Sequence, residues 1–366
     1  MTDAIGLYIH IPFCRKKCPY CDFFSGKATE ADYDAYLAVL KSRITSWANK
    51  TNRPVATIYF GGGTPSILGT KRLVGLLSHI RQCFRLYDHA EVTLEVNPES
   101  GKWLDFKELS AYGFNRVSVG MQSAVPKELE SLGRIHTAEE AKQTVTLAQK
   151  AGIENISLDL MIGIPYQTKE SLKASIAFCA SCDVKHISAY LLKIEEGTPF
   201  FYQRGLLPIA DEDEQADLYL YAVQELEASG YLQYEISNFA QKGFESRHNT
   251  AYWKCREYIG IGPSAHSFFE GKRFFYSRNL TEFQNNILIQ DGSGGDEEEY
   301  IMLSLRLNRG LVFSEFEQRF HHPIADSFMK QAEQFAKAGY MVADKNHVAF
   351  TPKGYLISNT ILSRLL

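Results

Sequence analysis

Three cysteines near the start of the chain have a spacing that suits a metal cluster. Cys14, Cys18 and Cys21 form a C-x3-C-x2-C pattern directly after an apolar run, Ile5 to Ile11, that predicts a β-strand. On the loop after that strand the three thiols can converge on one centre. Thiolates favour soft metal centres, and iron–sulfur clusters are among them. A cubane cluster takes four protein thiolates when it is fully ligated, so three cysteines leave one iron open to a ligand that is not protein.

Zinc is the alternative that these cysteines leave open. A structural zinc site needs a fourth cysteine or histidine at ligand spacing. His10 is the nearby candidate, but it lies in the middle of the predicted strand. The pattern therefore favours the iron–sulfur cluster.

Strands and helices alternate through the first half of the chain and must position this loop. Besides the first strand, apolar runs predict strands at 55–60, 91–96, 115–119, 156–161 and 186–192, and helical spacing of apolar residues separates them. Repeated β–α units imply parallel pairing with right-handed crossovers. Six units are too few for a closed eight-stranded barrel. We therefore predict an α/β fold with an open (β/α)6 three-quarter barrel, whose functional residues lie at the C-terminal ends of the strands.

Polar residues and glycines stand at those strand ends. The triple glycine before Thr64 follows the second strand, and such a segment permits close backbone approach and offers N–H groups to a polar ligand. Glu95 ends the third strand, where a carboxylate can bind ribose hydroxyls or an ammonium group; a solvated acid is the alternative. Asp159 lies inside the apolar fifth strand and needs hydrogen-bond partners there. It is either a barrel-mouth acceptor or a cap for a neighbouring loop.

The cysteine motif, with Tyr20 before its last cysteine, resembles that of the radical S-adenosylmethionine (SAM) superfamily. The resemblance implies a [4Fe-4S] cluster whose open iron is chelated by SAM. It also implies one-electron cleavage of SAM to a 5′-deoxyadenosyl radical, and a barrel of the (β/α)6 type.

A narrower resemblance runs through nearly the whole chain. It is carried by the segments YIHIPFC, CPYCDF, FGGGTPS, EVNPE, SVGMQS, LGRIH, DLMIGIP, SNFA, RHNTAYW and GIGPSAHS. They resemble the family of oxygen-independent coproporphyrinogen oxidases and HemW-type haem chaperones. The resemblance implies that the three cysteines ligate the cluster. It also implies that the positions contacting SAM are Tyr8, Tyr20, Gly62, Gly63, Thr64, Glu95, Gln122, Arg134 and Asp159.

Two departures from the oxidase pattern favour the chaperone branch. The first strand begins at residue 5, without the long extension of the oxidases, and Phe23 stands where they carry a further cysteine. The segment from His248 to Trp253 matches the H-N-x-x-Y-W motif that the branch uses in connection with haem. There His248 offers an imidazole for iron, Tyr252 and Trp253 can stack on a macrocycle, and Arg247 and Lys254 can pair with propionates. A packing motif that joins two domains is the alternative.

The second half of the chain predicts a different organisation. We divide the chain into the partial barrel (1–195), an extension that completes the site (196–290) and a C-terminal domain (291–366). The boundary is a polar break at 291–295. Helices and a hairpin predict a mainly helical, winged-helix-like tail, in which Ser314 and Glu317 form a capping box.

Composition limits the function classes. The chain has 39 basic and 43 acidic residues, so no global positive field points to nucleic acid. No signal peptide and no apolar run of transmembrane length is recognisable, and the four other cysteines are scattered, so we expect a cytoplasmic protein without a transmembrane segment.

We expect a haem chaperone with haem as cargo and haem-accepting proteins as partners, and a homodimer is left open. Catalytic activity stays an open question at this stage. The alternatives are a coproporphyrinogen oxidase and, behind it, a radical SAM enzyme that modifies RNA.

Overall fold

The computed structural model describes residues 4–366 and is built around a predominantly parallel β-sheet. Its first six strands are β1 Ile5–Ile11, β2 Val55–Gly62, β3 Leu86–Val96, β4 Arg116–Gln122, β5 Asn155–Ile162 and β6 His186–Leu191. They pair in parallel in chain order. All six were predicted as strands, although β3 begins five residues before the run at 91–96 that predicted it.

Helices connect these strands and cover the sheet. They are α1 Glu30–Ala48, α2 Thr70–Cys83, α3 Pro98–Gly101, α4 Phe106–Ala111, α5 Pro126–Ser131, α6 Ala138–Lys150 and α7 Lys169–Ser181. In α1 the buried side chains, among them Tyr33, Leu37, Leu40 and Ile44, recur every three or four residues and so form one apolar face. No helix within residues 4–366 is both long enough and apolar enough to cross a membrane.

The following segment extends the sheet at both edges. Its elements are α8 Pro199–Gln203, α9 Glu212–Ala228, β7 Leu232–Glu235, β8 Asn238–Ala240, α10 Arg247–Trp253, β9 Tyr258–Ile261, β10 His266–Phe269, β11 Lys272–Tyr276, α11 Leu280–Gln284 and β12 Leu288–Ser293. The twelve strands follow the order β12-β11-β10-β9-β1-β2-β3-β4-β5-β6-β8-β7. In the described part of the chain the two end strands do not pair with each other, so the barrel is open, as predicted.

One parallel strand escaped the sequence analysis. Strand β9 pairs in parallel with β1, with Tyr8 opposite Gly260. Its four residues are followed by Gly262 and Pro263, so the stretch has the composition of a loop. Parallel pairing over four residues leaves too short a pattern to recognise.

The C-terminal part is a small helical unit with a three-stranded sheet. It contains α12 Glu297–Ser304, β13 Leu311–Val312, α13 Phe313–Phe320, α14 Asp326–Lys337, β14 Met341–Ala343, β15 His347–Phe350, α15 Pro352–Leu356 and α16 Ser358–Leu365. The hairpin of β14 and β15 is confirmed, and β13 joins it. The polar break expected at 291–295 is strand through Ser293. The expected capping box is wrong, because α13 begins at Phe313 and Val312 occupies the cap position without a side-chain bond.

Helix α10 is fixed at the end of the sheet where the parallel strands begin. The buried carboxylate of Glu91, on β3, accepts the backbone N–H groups of His248 at 2.9 Å and of Arg247 at 3.1 Å. The His248 ring also bonds Thr57, near the start of β2, at 2.7 Å. These contacts join residues that are about 160 to 190 positions apart and close the end of the barrel opposite the cysteine loop.

We predict that Glu91→Ala lowers the free energy of unfolding by about 3 kcal/mol, because two backbone N–H groups of α10 and the buried guanidinium of Arg116 lose a charged partner. Urea unfolding followed by circular dichroism measures this change. Glu154→Ala, at an exposed carboxylate, is the control and should change it by less than about 0.5 kcal/mol. Equal unfolding midpoints for the two variants would contradict the role given to Glu91.

Candidate functional site

The three cysteines lie on the loop between β1 and α1, at the end of the sheet where the parallel strands finish. All three are partly accessible. Backbone bonds shape the loop: the Cys14 N–H donates to the Gly26 carbonyl at 2.9 Å and the Cys21 N–H donates to the Cys18 carbonyl at 3.1 Å. Within residues 4–366, no three His, Cys, Asp or Glu side chains converge closely enough to hold a single metal ion. A cubane binds each cysteine through a different iron.

Hydrogen-bond donors lie beside two of the sulfurs. The Thr64 hydroxyl donates to Cys14 Sγ at 3.4 Å, and Arg134 Nη1 donates to Cys18 Sγ at 3.6 Å. Asn97 connects the two donors: its Nδ2 donates to Thr64 Oγ1 at 3.0 Å and its Oδ1 accepts from Arg134 Nη2 at 3.0 Å. A fixed cation and a hydroxyl therefore face the sulfurs, and such second-shell contacts stabilise thiolate ligands.

Asn97 is a site residue that the sequence analysis missed. It lies two positions after Glu95 in the segment EVNPE, and that motif was the available signal. Nothing in the sequence alone shows that its amide bridges residues of the second and fourth β–α units. Its oxygen, Gln122 Nε2 and Arg134 Nη2 all crowd Gly120, where an added Cβ would lie 3.1–3.3 Å from each atom.

The glycines after β2 allow the backbone to approach the cysteine loop closely. A Cβ on Gly63 would lie 2.6 Å from the Phe13 carbonyl oxygen, and the Gly63 N–H donates to the Ile11 carbonyl at 2.8 Å. Gly62 has a φ of +110°, where a Cβ would strike the His10 ring. The Gly62 N–H donates to Glu95 at 3.2 Å. In this structure both N–H groups therefore bond protein acceptors, whereas we had expected the segment to offer its N–H groups to a ligand.

Glu95 is a partly buried carboxylate with a perturbed pKa. Its pKa is raised to about 7: removal from solvent is the largest cause and the negative Asp159 adds to it, while hydrogen bonds and the charge of Arg116 oppose both effects. One of these bonds is the Tyr59 hydroxyl donating to Oε1 at 2.8 Å. A carboxyl group with a pKa near neutrality changes its hydrogen-bonding capacity in the physiological range, which is typical of functional sites.

Three further residues predicted to contact SAM are Tyr8, Tyr20 and Gln122. Tyr8 is partly buried, stacks on Tyr59 with ring centroids 6.2 Å apart, and donates to His10 Nδ1 at 3.1 Å. Tyr20 packs beside Phe200, with centroids 6.1 Å apart. Gln122 ends β4 with a φ of +70°, a backbone strain that often marks functional sites.

Asp159 lies inside the barrel and its carboxylate is engaged by hydroxyl groups. Ser118 donates to it at 3.0 Å and Ser157 at 3.4 Å. Burial raises its pKa, while these hydroxyls and the nearby Arg116 oppose the shift. The expectation that this buried acid finds hydrogen-bond partners is confirmed, and its contact with SAM stays a prediction.

Among the residues predicted to contact haem, His248 faces into the barrel, whereas Arg247 and Lys254 lie on the outer face of α10. His248 is 1% exposed, and its two ring nitrogens bond the Thr57 and Tyr252 hydroxyls at 2.7 Å each. Burial, with the charge of Arg116, lowers its pKa to about 3, so the ring is neutral. The guanidinium of Arg306 lies 5.4 Å from the centre of the Trp253 ring. Iron coordination by His248 would therefore require α10 to move, and stacking on Trp253 would compete with Arg306.

Comparison with known families places two models on the chain. The Radical SAM superfamily model matches residues 8–179, and the HemN C-terminal domain model matches residues 297–357. The first range covers most of the parallel sheet and the second covers most of the C-terminal unit.

Similar proteins span almost the whole chain. The heme chaperone HemW of Lactococcus lactis is 34% identical, over 98% of this chain and 96% of that protein. The heme chaperone HemW of Escherichia coli is also 34% identical, over 99% and 98%. The crystal structure of the radical SAM enzyme coproporphyrinogen III oxidase (HemN) from Escherichia coli superposes with a TM-score of 0.84 at 24% identity, covering 99% of this chain and 90% of that one. That likeness shows a shared fold.

We predict that affinity for SAM falls about tenfold between pH 8 and pH 6 if Glu95 contacts it. With a pKa near 7, Glu95 is mostly ionised at pH 8 and mostly protonated at pH 6, where it loses acceptor capacity for ligand hydroxyl or ammonium groups. Anaerobic equilibrium dialysis at both pH values measures the affinity. Glu95→Gln should bind SAM weakly at both, and the control Glu130→Gln, at an exposed position, should keep the wild-type profile. A wild-type affinity that does not change with pH would rule out this role.

Proposed function

Because this chain belongs to the HemW family of radical SAM proteins, we propose that it binds haem and delivers it to proteins that require haem. The observation that carries the proposal is 34% identity to heme chaperones over nearly the full length of both chains. Proteins of the radical SAM superfamily use a [4Fe-4S] cluster and SAM, and in HemW proteins haem is the cargo.

The cysteine loop supports binding of the cluster. Cys14, Cys18 and Cys21 would each hold one iron, and SAM would complete the fourth. Reduced, such a cluster supplies one electron to SAM. Around it, the chain itself positions the Thr64 hydroxyl and the Arg134 guanidinium against two sulfurs, and Asn97 holds both donors in place.

A column of side chains inside the barrel connects the two ends of the sheet. The His248 ring stacks on Tyr59 with centroids 5.2 Å apart, and the Tyr59 hydroxyl donates to Glu95. Glu95 in turn accepts the Gly62 N–H beside the cysteine loop. We propose that occupancy of the SAM site acts on α10 along this column and so controls release of haem, with the radical reaction not required for delivery.

The proposed division of labour follows the chain. Residues 1–195 would hold the cluster and SAM, residues 196–290 would close the barrel with α10, and residues 291–366 would contact the acceptor protein. The arrangement is supported by the position of α10 at the start of the parallel strands and by the separate three-stranded sheet of the C-terminal unit.

We predict stoichiometric haem binding by the reconstituted protein and no turnover of coproporphyrinogen. An anaerobic titration that follows the Soret band measures binding, and the same samples are assayed for decarboxylation under reducing conditions. Turnover of coproporphyrinogen without a stable haem complex would make the protein an oxidase instead.

We also predict that the rate of haem release changes when SAM is added to the protein. Tyr59→Phe, which keeps the ring but loses the hydroxyl bond to Glu95, should weaken that response.

A further inference from the structure

A cavity of about 770 Å³ lies at the end of the sheet where the parallel strands begin. It is bordered by the starts of β1 and β2, by the β7–β8 hairpin and by the turn that contains Arg309. Helix α10 forms one wall through Arg247, Thr250, Ala251 and Lys254, whose spacing of three and four residues places them on one face. His248 and Tyr252 lie on the face that points into the barrel. The cavity has the size of a small-molecule site.

The charge of this cavity is opposite to that of the chain. Five basic residues line it, against the two acids Glu245 and Glu257, in a protein of net charge −4. Glu257 already pairs with Arg53, and Glu245 accepts the N–H of Gly243. The excess of positive charge therefore attracts an anionic ligand.

Two lysines line the cavity, and Lys254 is the half-buried one, whereas Lys242 is exposed. The ammonium group of Lys254 forms no hydrogen bond or ion pair with any residue from 4 to 366. Glu315 is the acid whose negative charge acts on Lys254. Its carboxylate is bonded to Arg309, and Arg309 Nη1 lies 2.7 Å from Glu315 Oε1. Burial and the positive charges of Arg309 and Arg256 lower the pKa of Lys254, which indicates a local positive potential.

The uncharged lining is partly polar, with Thr57, Gln233, Tyr234, Thr250 and Asn308, and partly apolar. Leu232, Leu307, Ala240, Ala251, Ala56 and Ile5 provide surfaces without hydrogen-bonding side chains. A ligand that fills this space needs an apolar body and a negatively charged edge. A porphyrin with two propionates has both features. Inorganic phosphate lacks the apolar body, and a nucleotide carries a ribose and a base edge that need hydrogen-bond partners.

We propose that this cavity binds a flat, amphipathic dicarboxylate, and that Lys254 pairs with one of its carboxylates. This inference rests on the proposed function, in which the ligand is haem. It places haem on the outer face of α10, while His248 keeps its bonds to Thr57 and Tyr252. Recognition then runs through the carboxylates and the apolar body, so the iron atom is not required for binding.

The test compares haem, metal-free protoporphyrin IX and its dimethyl ester on the full-length, reconstituted protein. Anaerobic titrations follow the Soret band and the quenching of tryptophan fluorescence. We expect the wild type to bind both free acids and to bind the ester at least tenfold more weakly, since an ester cannot pair with an ammonium group. Lys254→Ala should weaken both free acids by about tenfold or more, and Lys254→Arg should restore most of the affinity.

Controls separate this inference from the function it rests on. Lys337→Ala, at an exposed position on α14, should bind like the wild type, and equal melting temperatures exclude misfolding of the variants. Wild-type affinity in Lys254→Ala would overturn the cavity as the site while haem binding itself stands. Binding of haem without binding of the metal-free porphyrin would overturn carboxylate recognition. A wild type that binds neither compound would overturn both proposals.

Discussion

Close backbone contact between the end of β1 and the glycines after β2 is the constraint on which the cluster site depends. The register of the two strands sets Ile11 beside Gly62, and the Gly63 N–H bonds the Ile11 carbonyl. Any side chain at Gly63 would collide with the backbone at Phe13, so the cysteine loop could not start where it does. This contact places Thr64 against Cys14. Asn97, which follows β3, bonds Thr64 and also Arg134, which follows β4.

The opposite end of the barrel depends on buried charge. Glu91 holds the first turn of α10, and its negative charge also acts on Arg116, which is fully buried in the barrel interior. The helix that results has two different faces. One bonds Thr57 and stacks on Tyr59, and the other carries Lys254 into a cavity with excess positive charge. We therefore propose two binding regions, one at each end of the same strands, with Glu95 and Tyr59 between them.

Local sequence patterns predicted the cysteine loop and most of the parallel part of the sheet. The cysteine spacing, the six strands and the open barrel depend on short-range periodicity, which the sequence displays directly. Strand β9 and the role of Asn97 were missed because each depends on a partner distant in the chain. The orientation of His248 was unpredictable for the same reason, since Thr57 lies 191 positions away. The prediction of a capping box at Ser314 is wrong because the helix begins one residue earlier, at Phe313.

Our central claim is that haem and the cluster bind at opposite ends of the barrel. Haem binding by a variant that cannot build the cluster tests this claim most directly. The variant Cys14→Ser, Cys18→Ser and Cys21→Ser, titrated with haem anaerobically beside the wild type, measures whether the two regions are separate. We predict that this variant loses the iron and the visible absorption of the cluster. It should bind haem with unchanged stoichiometry, and its rate of haem release should no longer respond to SAM. Loss of haem binding together with the cluster would contradict this claim, because haem would then depend on the cysteine end of the barrel.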